Sequence, residues 1–191
     1  KAKIILFHIF HTPIPHEETP IFVPTSEKLQ KEKEKLLQKK VEKIRKKATV
    51  QISYLTRMGM AAEEIIEEEK NADMIIMGMK NVGKLSEYIL GSITTTILRK
   101  ATIPVIVVPV GVKFKVPRKI AFACDYNPGT NYETIESLNE LINTFKSKLL
   151  VINIKNTKEL ITVEEAKAGL RLEKKLSDVE HFYHYSENDD L

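Results

Sequence analysis

Cysteine is nearly absent: Cys124 alone rules out an internal disulfide framework and any all-cysteine zinc site. Long hydrophobic runs are missing too. No stretch approaches the ~20 apolar residues that a membrane-spanning helix requires, which excludes such a span within these residues. A chain-wide excess of one charge is also lacking. Lys and Arg number 30 against 26 Asp and Glu, a net charge of +4, and the excess is local: Glu27 to Lys47 holds ten Lys or Arg and four Glu, which leaves the rest slightly acidic. The uniformly basic surface that would grip a nucleic acid is therefore not encoded, and the lysine-rich stretch reads as a solvated helix face. Enzyme signatures are missing as well. There is no Gly-x-x-x-x-Gly-Lys-Ser/Thr loop, no acid and base at a defined spacing, and neither a His-x-Gly-His nor a Ser-Gly-Gly-x-Asp-Ser pattern.

What is present is an ordinary globular balance, 191 residues with 42% hydrophobic and 29% charged, enough for one domain or one and a half. Short Ile- and Val-rich runs alternate with amphipathic ones. The patterning predicts strands at Lys3 to Phe10, Val50 to Thr56, Asp73 to Met77 and Pro104 to Pro109, and helices at Glu27 to Lys47, Met60 to Lys70 and Leu85 to Lys100. Thr25 or Ser26 is placed to cap the first helix, and Leu37, Val41, Ile44 and Ala48 fall on one face of it. A further strand, Lys119 to Asp125, is followed by a helix from Asn131 to Phe145. Such alternation predicts an α/β fold with an open parallel sheet covered by helices on both faces.

The chain also resembles itself. Lys1-Ala-Lys-Ile-Ile-Leu-Phe-His-Ile9 aligns with Lys146-Ser-Lys-Leu-Leu-Val-Ile-Asn-Ile154 at an offset of 145 residues. A charged helical pattern follows each copy, and then a second strand, Val50 to Thr56 in one and Val179 to Tyr185 in the other. Two modules are therefore expected, residues 1–112 and 117–191, joined by a short, proline-stiffened linker. Against the second copy, the first lacks a strand and helix of about 30 residues before Lys1, and the second lacks about 55 residues after Leu191. The expected parent is a tandem protein of about 275 residues.

The most informative stretch runs from Met77 to Pro109. A strand ends at Gly78, the loop continues through Lys80 and Asn81, and Gly91 and Ser92 offer a bare backbone and a hydroxyl near a helical segment. Backbone amides around Ser92 and Ile93, with the hydroxyls of Ser92 and Thr94, offer a phosphate site that needs no basic residue. The stretch resembles the universal stress protein family, whose nucleotide-binding members carry Gly, two residues, Gly, nine residues, Gly and Ser or Thr before a proline-led last strand. That pattern falls on Gly78, Asn81, Gly91 and Ser92, then on Ala101-Thr102-Ile103-Pro104, with Asn81 standing where the family has its second glycine.

The resemblance implies a Rossmann-like sheet of order similar to 3-2-1-4-5, with adenine nucleotide at the switch point between strands one and four. It implies ATP, ADP or AMP as ligand, with Mg2+ as an optional companion of the phosphates. Asp125 matches the acid that contacts adenine or ribose, and Ile9 the position whose main chain faces adenine. It also implies a cytoplasmic regulatory or stress-response role, slow ATP hydrolysis at most, and pairing either as a homodimer or between modules through the strand Pro104 to Pro109. No nucleic-acid or membrane partner is implied. The competing reading is a dimerisation or signalling scaffold of the same fold with a vestigial loop.

Plainer readings stand beside these. Gly78, Gly91 and Ser92 also serve as ordinary strand-to-helix punctuation, and Asp125 as a helix cap. His8 and His11 are expected on opposite strand faces, against a shared metal with His16. Cys124 reads as a buried inert thiol, and Met77 and Met79 as fillers beside the loop.

Overall fold

Residues 2–11, 25–79, 91–126, 135–155 and 162–187 are described by the computed structural model. They divide into two units, Lys1–Val110 and Gly111–Leu191, each taken by itself below. The first unit runs β1 (Lys3–Phe10), α1 (Ser26–Arg45), β2 (Gln51–Met58), α2 (Ala61–Glu68) with a 3-10 turn at Glu69–Asn71, β3 (Ile75–Gly78), α3 (Ser92–Lys100) and β4 (Val105–Val108). β1 pairs with β2 in parallel from Lys3 against Gln51 to Phe10 against Met58. β3 pairs with β4, also in parallel, from Ile75 against Val105 to Gly78 against Val108. Among the described residues of this unit the strands pair as β1-β2 and as β3-β4.

The helix packed on β2 shows how the lysine-rich sequence is used. Thr25 caps it, its Oγ1 accepting from Lys28 N at 3.4 Å, and Leu37 and Val41 are buried while most of the intervening charges face solvent. Arg45 donates from Nη2 to the Ile52 carbonyl at 3.0 Å, tying the helix end to β2. The expected apolar face is shortened there. The helix stops at Arg45, Lys47 N and Ala48 N both turn back to Ile44 O, and Ala48 is exposed.

The second unit runs β5 (Lys119–Ala123), α4 (Ile135–Phe145), β6 (Lys148–Lys155), α5 (Val163–Leu176) and β7 (His181–Glu187). Its parallel sheet has the order β5-β6-β7, so β6 is paired on both edges. Leu149, Val151, Ala168, Leu172 and Leu176 are all 0% exposed and form one core with Ile135 and Ile142 of α4. α5 is capped at its start by a reciprocal box: Glu165 N donates to Thr162 Oγ1 at 3.2 Å, and Thr162 N donates to Glu165 Oε2 at 2.8 Å.

Candidate functional site

At the C-terminal end of β3 the backbone stays in its ladder one residue beyond the strand, Met79 N donating to Val108 O at 2.9 Å. Met79 is buried beneath that turn, as a gap-filling thioether should be. Gly78 lies in open space: a Cβ there would meet nothing within 4 Å. Its bareness is therefore not demanded by packing among the described residues. Lys80 and Asn81 lie outside the described residues, as do the turns expected from Leu85 onward.

The chain re-enters at Gly91, the N-cap of α3, with extended φ −63 and ψ 154 and no side-chain cap. Its carbonyl accepts from Thr95 N at 2.9 Å, closing the first helical turn. The N–H groups of Ser92, Ile93 and Thr94 precede that bond and have no acceptor within the helix. Aligned peptide dipoles add partial positive charge at this end. A Cβ on Gly91 would also meet nothing within 4 Å among the described residues. Ser92 and Ile93 are exposed, whereas Thr94 is only 5% exposed. The solvent-facing hydroxyl at this end is that of Ser92. Arg99 and Lys100 occupy the last turn, where they complement the opposite pole.

Ile9 and Asp125 fall elsewhere. Ile9 is half-buried late in β1, in register with Arg57, and Asp125 follows β5 in the second unit, exposed, just before Tyr126 at φ 52. The predicted residues are thus divided between the two units: Ile9, Gly78 and Gly91 to Thr94 in the first, Asp125 in the second.

One polar residue was missed. Asn153 sits in β6 at 1% exposure, its Nδ2 donating to Cys124 O at 2.6 Å while its Oδ1 has no hydrogen-bond partner. An unmet buried acceptor costs roughly 1–3 kcal/mol. The available signal was a lone amide inside the apolar run Leu149 to Ile154.

Charged groups elsewhere are structural. Burial, then Lys33 and Lys40 of α1, hold the His8 imidazole below its ordinary value, which disfavours any cation beside it. His11 lies past the end of β1, so the expected opposition of faces does not arise; His16 is outside the described residues. Among the described residues no group of three His, Cys, Asp or Glu is placed to hold a metal, and no helix is long and apolar enough to cross a membrane. Glu173 of α5 accepts from Tyr183 Oη at 2.5 Å and stands 3.3 Å from His181 Nε2. The tyrosine bond first, then the histidine, hold its carboxyl below the usual range. Cys124 is buried, as expected.

The model of the universal stress protein family matches residues 1–109. A universal stress protein of Methanocaldococcus jannaschii is 38% identical over 85 residues, covering 44% of this chain and 49% of that protein. The chain thus matches about half the length of that relative. Among solved structures, a universal stress protein from Archaeoglobus fulgidus superposes with a TM-score of 0.68 at 16% identity, covering 98% of this chain and 69% of that one. A functionally unknown protein of Pseudomonas aeruginosa superposes at 0.56 with 15% identity, covering 96% and 74%. At such identities the two structures speak for the α/β fold alone.

Proposed function

The chain belongs to the universal stress protein family, and from that premise we propose that its first unit binds the phosphates of an adenine nucleotide as a regulatory module of the cytoplasm. The observation that carries the reading is the start of α3. Gly91 brings no side chain to the helix end, none among the described residues caps it, and the exposed Ser92 adds a hydroxyl beside amides that have no acceptor within the helix. These groups hold a phosphate by peptide dipoles and neutral donors, as helix N-termini do. Gly78 leaves the end of β3 open among the described residues. The amides of Ser92, Ile93 and Thr94 and the Ser92 hydroxyl would hold phosphate oxygens. Asn81 stands where the family pattern has its second glycine, with Lys80 beside it; Ile9 remains the proposed adenine-facing position of this unit, and Asp125 is the corresponding acid of the second unit.

No residue set proposed here moves a proton or attacks phosphorus, so the role is binding, with slow ATP hydrolysis at most. Calorimetry with ATP and with AMP, and analysis of nucleotide released on denaturing the purified chain, test the reading. Ser92→Asp, which sets a carboxylate against the phosphates, should weaken binding at least tenfold. Repeated absence of heat and of co-purified nucleotide sinks it.

A second reading is favoured by β4. Its edge away from β3 has no strand partner among the described residues, and Val108 and Val110 are 38% and 60% exposed. An apolar edge of this kind suits strand-to-strand pairing between copies or modules. Sedimentation showing a dimer that Val107→Glu dissociates, with or without ATP, would favour this scaffold role over nucleotide binding.

A further inference from the structure

Where α5 meets β7 in the second unit, an imidazole, a carboxylate and a phenol come to one point. His181 and Tyr183 stand two residues apart on β7 and so share its face toward α5. The intervening Phe182 faces the other way, with Lys148 over its ring. Glu173, in the last turn of α5, reaches both: its Oε2 lies 2.5 Å from Tyr183 Oη and 3.3 Å from His181 Nε2. The two rings meet edge to face with centroids 5.3 Å apart. The His181 side chain is 12% exposed and that of Glu173 53%, so the imidazole is enclosed and the carboxylate stands at the mouth.

The hydrogen positions at His181 follow from its neighbours. Nδ1 stands 2.9 Å from the Val179 carbonyl oxygen, which can only accept, so Nδ1 carries a hydrogen. Nε2 of the neutral ring then offers a lone pair, and opposite it is a carboxylate oxygen, another acceptor. Two acceptors aimed at each other call for a cation between them. The spacing says which. A charge-assisted N–H···O bond closes to about 2.7–2.9 Å, well short of the 3.3 Å here. Two ligands held about 2.0–2.1 Å from a tetrahedral metal stand about 3.3–3.4 Å apart. A backbone carbonyl on the far ring nitrogen is also the support that metal-bound histidines have, since it fixes the tautomer and aims the ring.

We propose that His181 Nε2, Glu173 Oε2 and Tyr183 Oη bind a divalent transition-metal ion of the zinc and copper class. One imidazole nitrogen with two oxygens suits that class. Mg2+ and Ca2+ take shells built of oxygen, and the one thiol, Cys124, is buried in the core. The third donor is a phenol, which is why no trio of His, Cys, Asp and Glu among the described residues marks the place. On binding, the Tyr183 phenol proton leaves to solvent as the oxygen-metal bond forms, and the half-exposed Glu173 rotates to open its 2.5 Å contact to ligand spacing. Three protein donors leave the fourth position to water. In the metal-free chain the same groups clip β7 to α5, and the ion replaces that clip with a firmer one. The site lies in the second unit, whereas α3 belongs to the first, and it needs no nucleotide.

The test uses the full chain stripped with chelator and titrated at pH 8, with Zn2+ by calorimetry and with Cu2+ by absorption. Saturable binding is expected, together with a phenolate-to-copper charge-transfer band in the visible. Glu173→Gln and Tyr183→Phe should each weaken Zn2+ binding at least tenfold, and Tyr183→Phe should also abolish the band. Calorimetry in buffers of different ionisation heat counts protons: the unaltered chain should release about one more than Tyr183→Phe. His184→Gln, three residues on and on the opposite face, should bind as the unaltered chain does; circular dichroism checks that all variants fold. In nitrogen NMR of the imidazole, Nε2 of His181 should shift on zinc binding while Nδ1 keeps its hydrogen. Absence of saturable binding overturns the proposal, and an Nε2 that carries a hydrogen throughout would then mark a plain ion pair with Glu173. Binding that survives either Glu173→Gln or Tyr183→Phe unchanged, or that is lost in His184→Gln, overturns it as well, since the metal would then sit elsewhere.

Discussion

β1 and β6 are nearly the same strand in sequence and opposite in surroundings. Leu149 and Val151 of β6 are fully buried, yet Ile4, which aligns with Leu149, is 39% exposed, and Leu6, which aligns with Val151, is half-buried. The side chains do not explain this difference, since both copies offer large apolar groups at these positions. The neighbours do. β6 has a strand on each edge and α4 and α5 contributing to one core, whereas β1 has one strand partner among the described residues, with a cleft beside it. A strand's hydrophobic pattern states what it can bury, and its partners decide how much it does bury.

The comparison breaks most clearly under truncation of one side chain in each unit. Leu172→Ala opens a cavity in a fully enclosed core and should cost about 2–5 kcal/mol. Ile76→Ala, at a residue 68% exposed, should cost less than about 0.5 kcal/mol. Urea unfolding followed by hydrogen exchange, read separately on amides of each unit, measures both; equal costs would mean that exposure does not distinguish the two sheets. Next in size is Arg57→Met. Arg57 Nη2 lies 2.5 Å from Glu68 Oε2, with Glu64 and Glu67 at 3.5 and 3.7 Å from Nη1. This one cation holds β2 to an acidic α2, and its loss leaves three carboxylates crowded on adjacent helical turns. A cost of about 1–3 kcal/mol, confined to the first unit, is expected.

Helix starts sharpen the contrast at a smaller scale. α5 has a complete capping box at Thr162, while α2 begins at Met60 with no side-chain cap, although Glu63 stands three residues on. Thr162→Ala should therefore destabilise the second unit by about 1 kcal/mol. Met60→Ser, at a residue 62% exposed, should stabilise the first by about 0.5–1 kcal/mol. Thermal melts of both variants check the opposite signs, and a loss of stability in Met60→Ser would show that the thioether is doing something its exposure conceals.

Much of this architecture was legible because local rules suffice for it. The strand from Lys3 to Phe10 and the Thr25 cap follow from alternation and from a hydroxyl ahead of a helical period. The pairing of β1 with β2 and of β3 with β4 agrees with the order 3-2-1-4-5 that the resemblance implies; alternation alone could not supply it, because edge pairing depends on strands distant in sequence. The histidines show the same limit: alternation put His8 and His11 on opposite faces, but the strand ends at Phe10, and the lysines that govern His8 arrive from α1. At the candidate site, the bare backbone of Gly91 and the Ser92 hydroxyl were readable, but the start of α3 at Ser92 was not, the expected helix running on from Leu85. The burial of Thr94 was not either, since it depends on which face of α3 packs inward.

The smallest expected effect concerns acidity. His8 is held below its ordinary value of ~6.5 by burial and then by Lys33 and Lys40. As pH falls the unfolded chain therefore takes up this proton before the folded one does, and protonation draws the equilibrium toward unfolding. The contribution of neutral His8 is intact above about pH 6.5 and is lost as pH drops toward its folded value. Glu173 in the second unit is depressed as well, mainly by Tyr183, but as a carboxylate. Its contribution is intact above the usual carboxylate value of about 4.3 and is lost only as pH falls below that. The two units should thus weaken in different windows, the first beginning near neutrality and the second only in acid. Unfolding midpoints of each unit followed from pH 7.5 to pH 3 should show this order. His8→Gln should remove the upper window from the first unit and leave the second unchanged, and an unaltered slope between pH 7 and pH 5.5 in that variant would exclude His8 as its source.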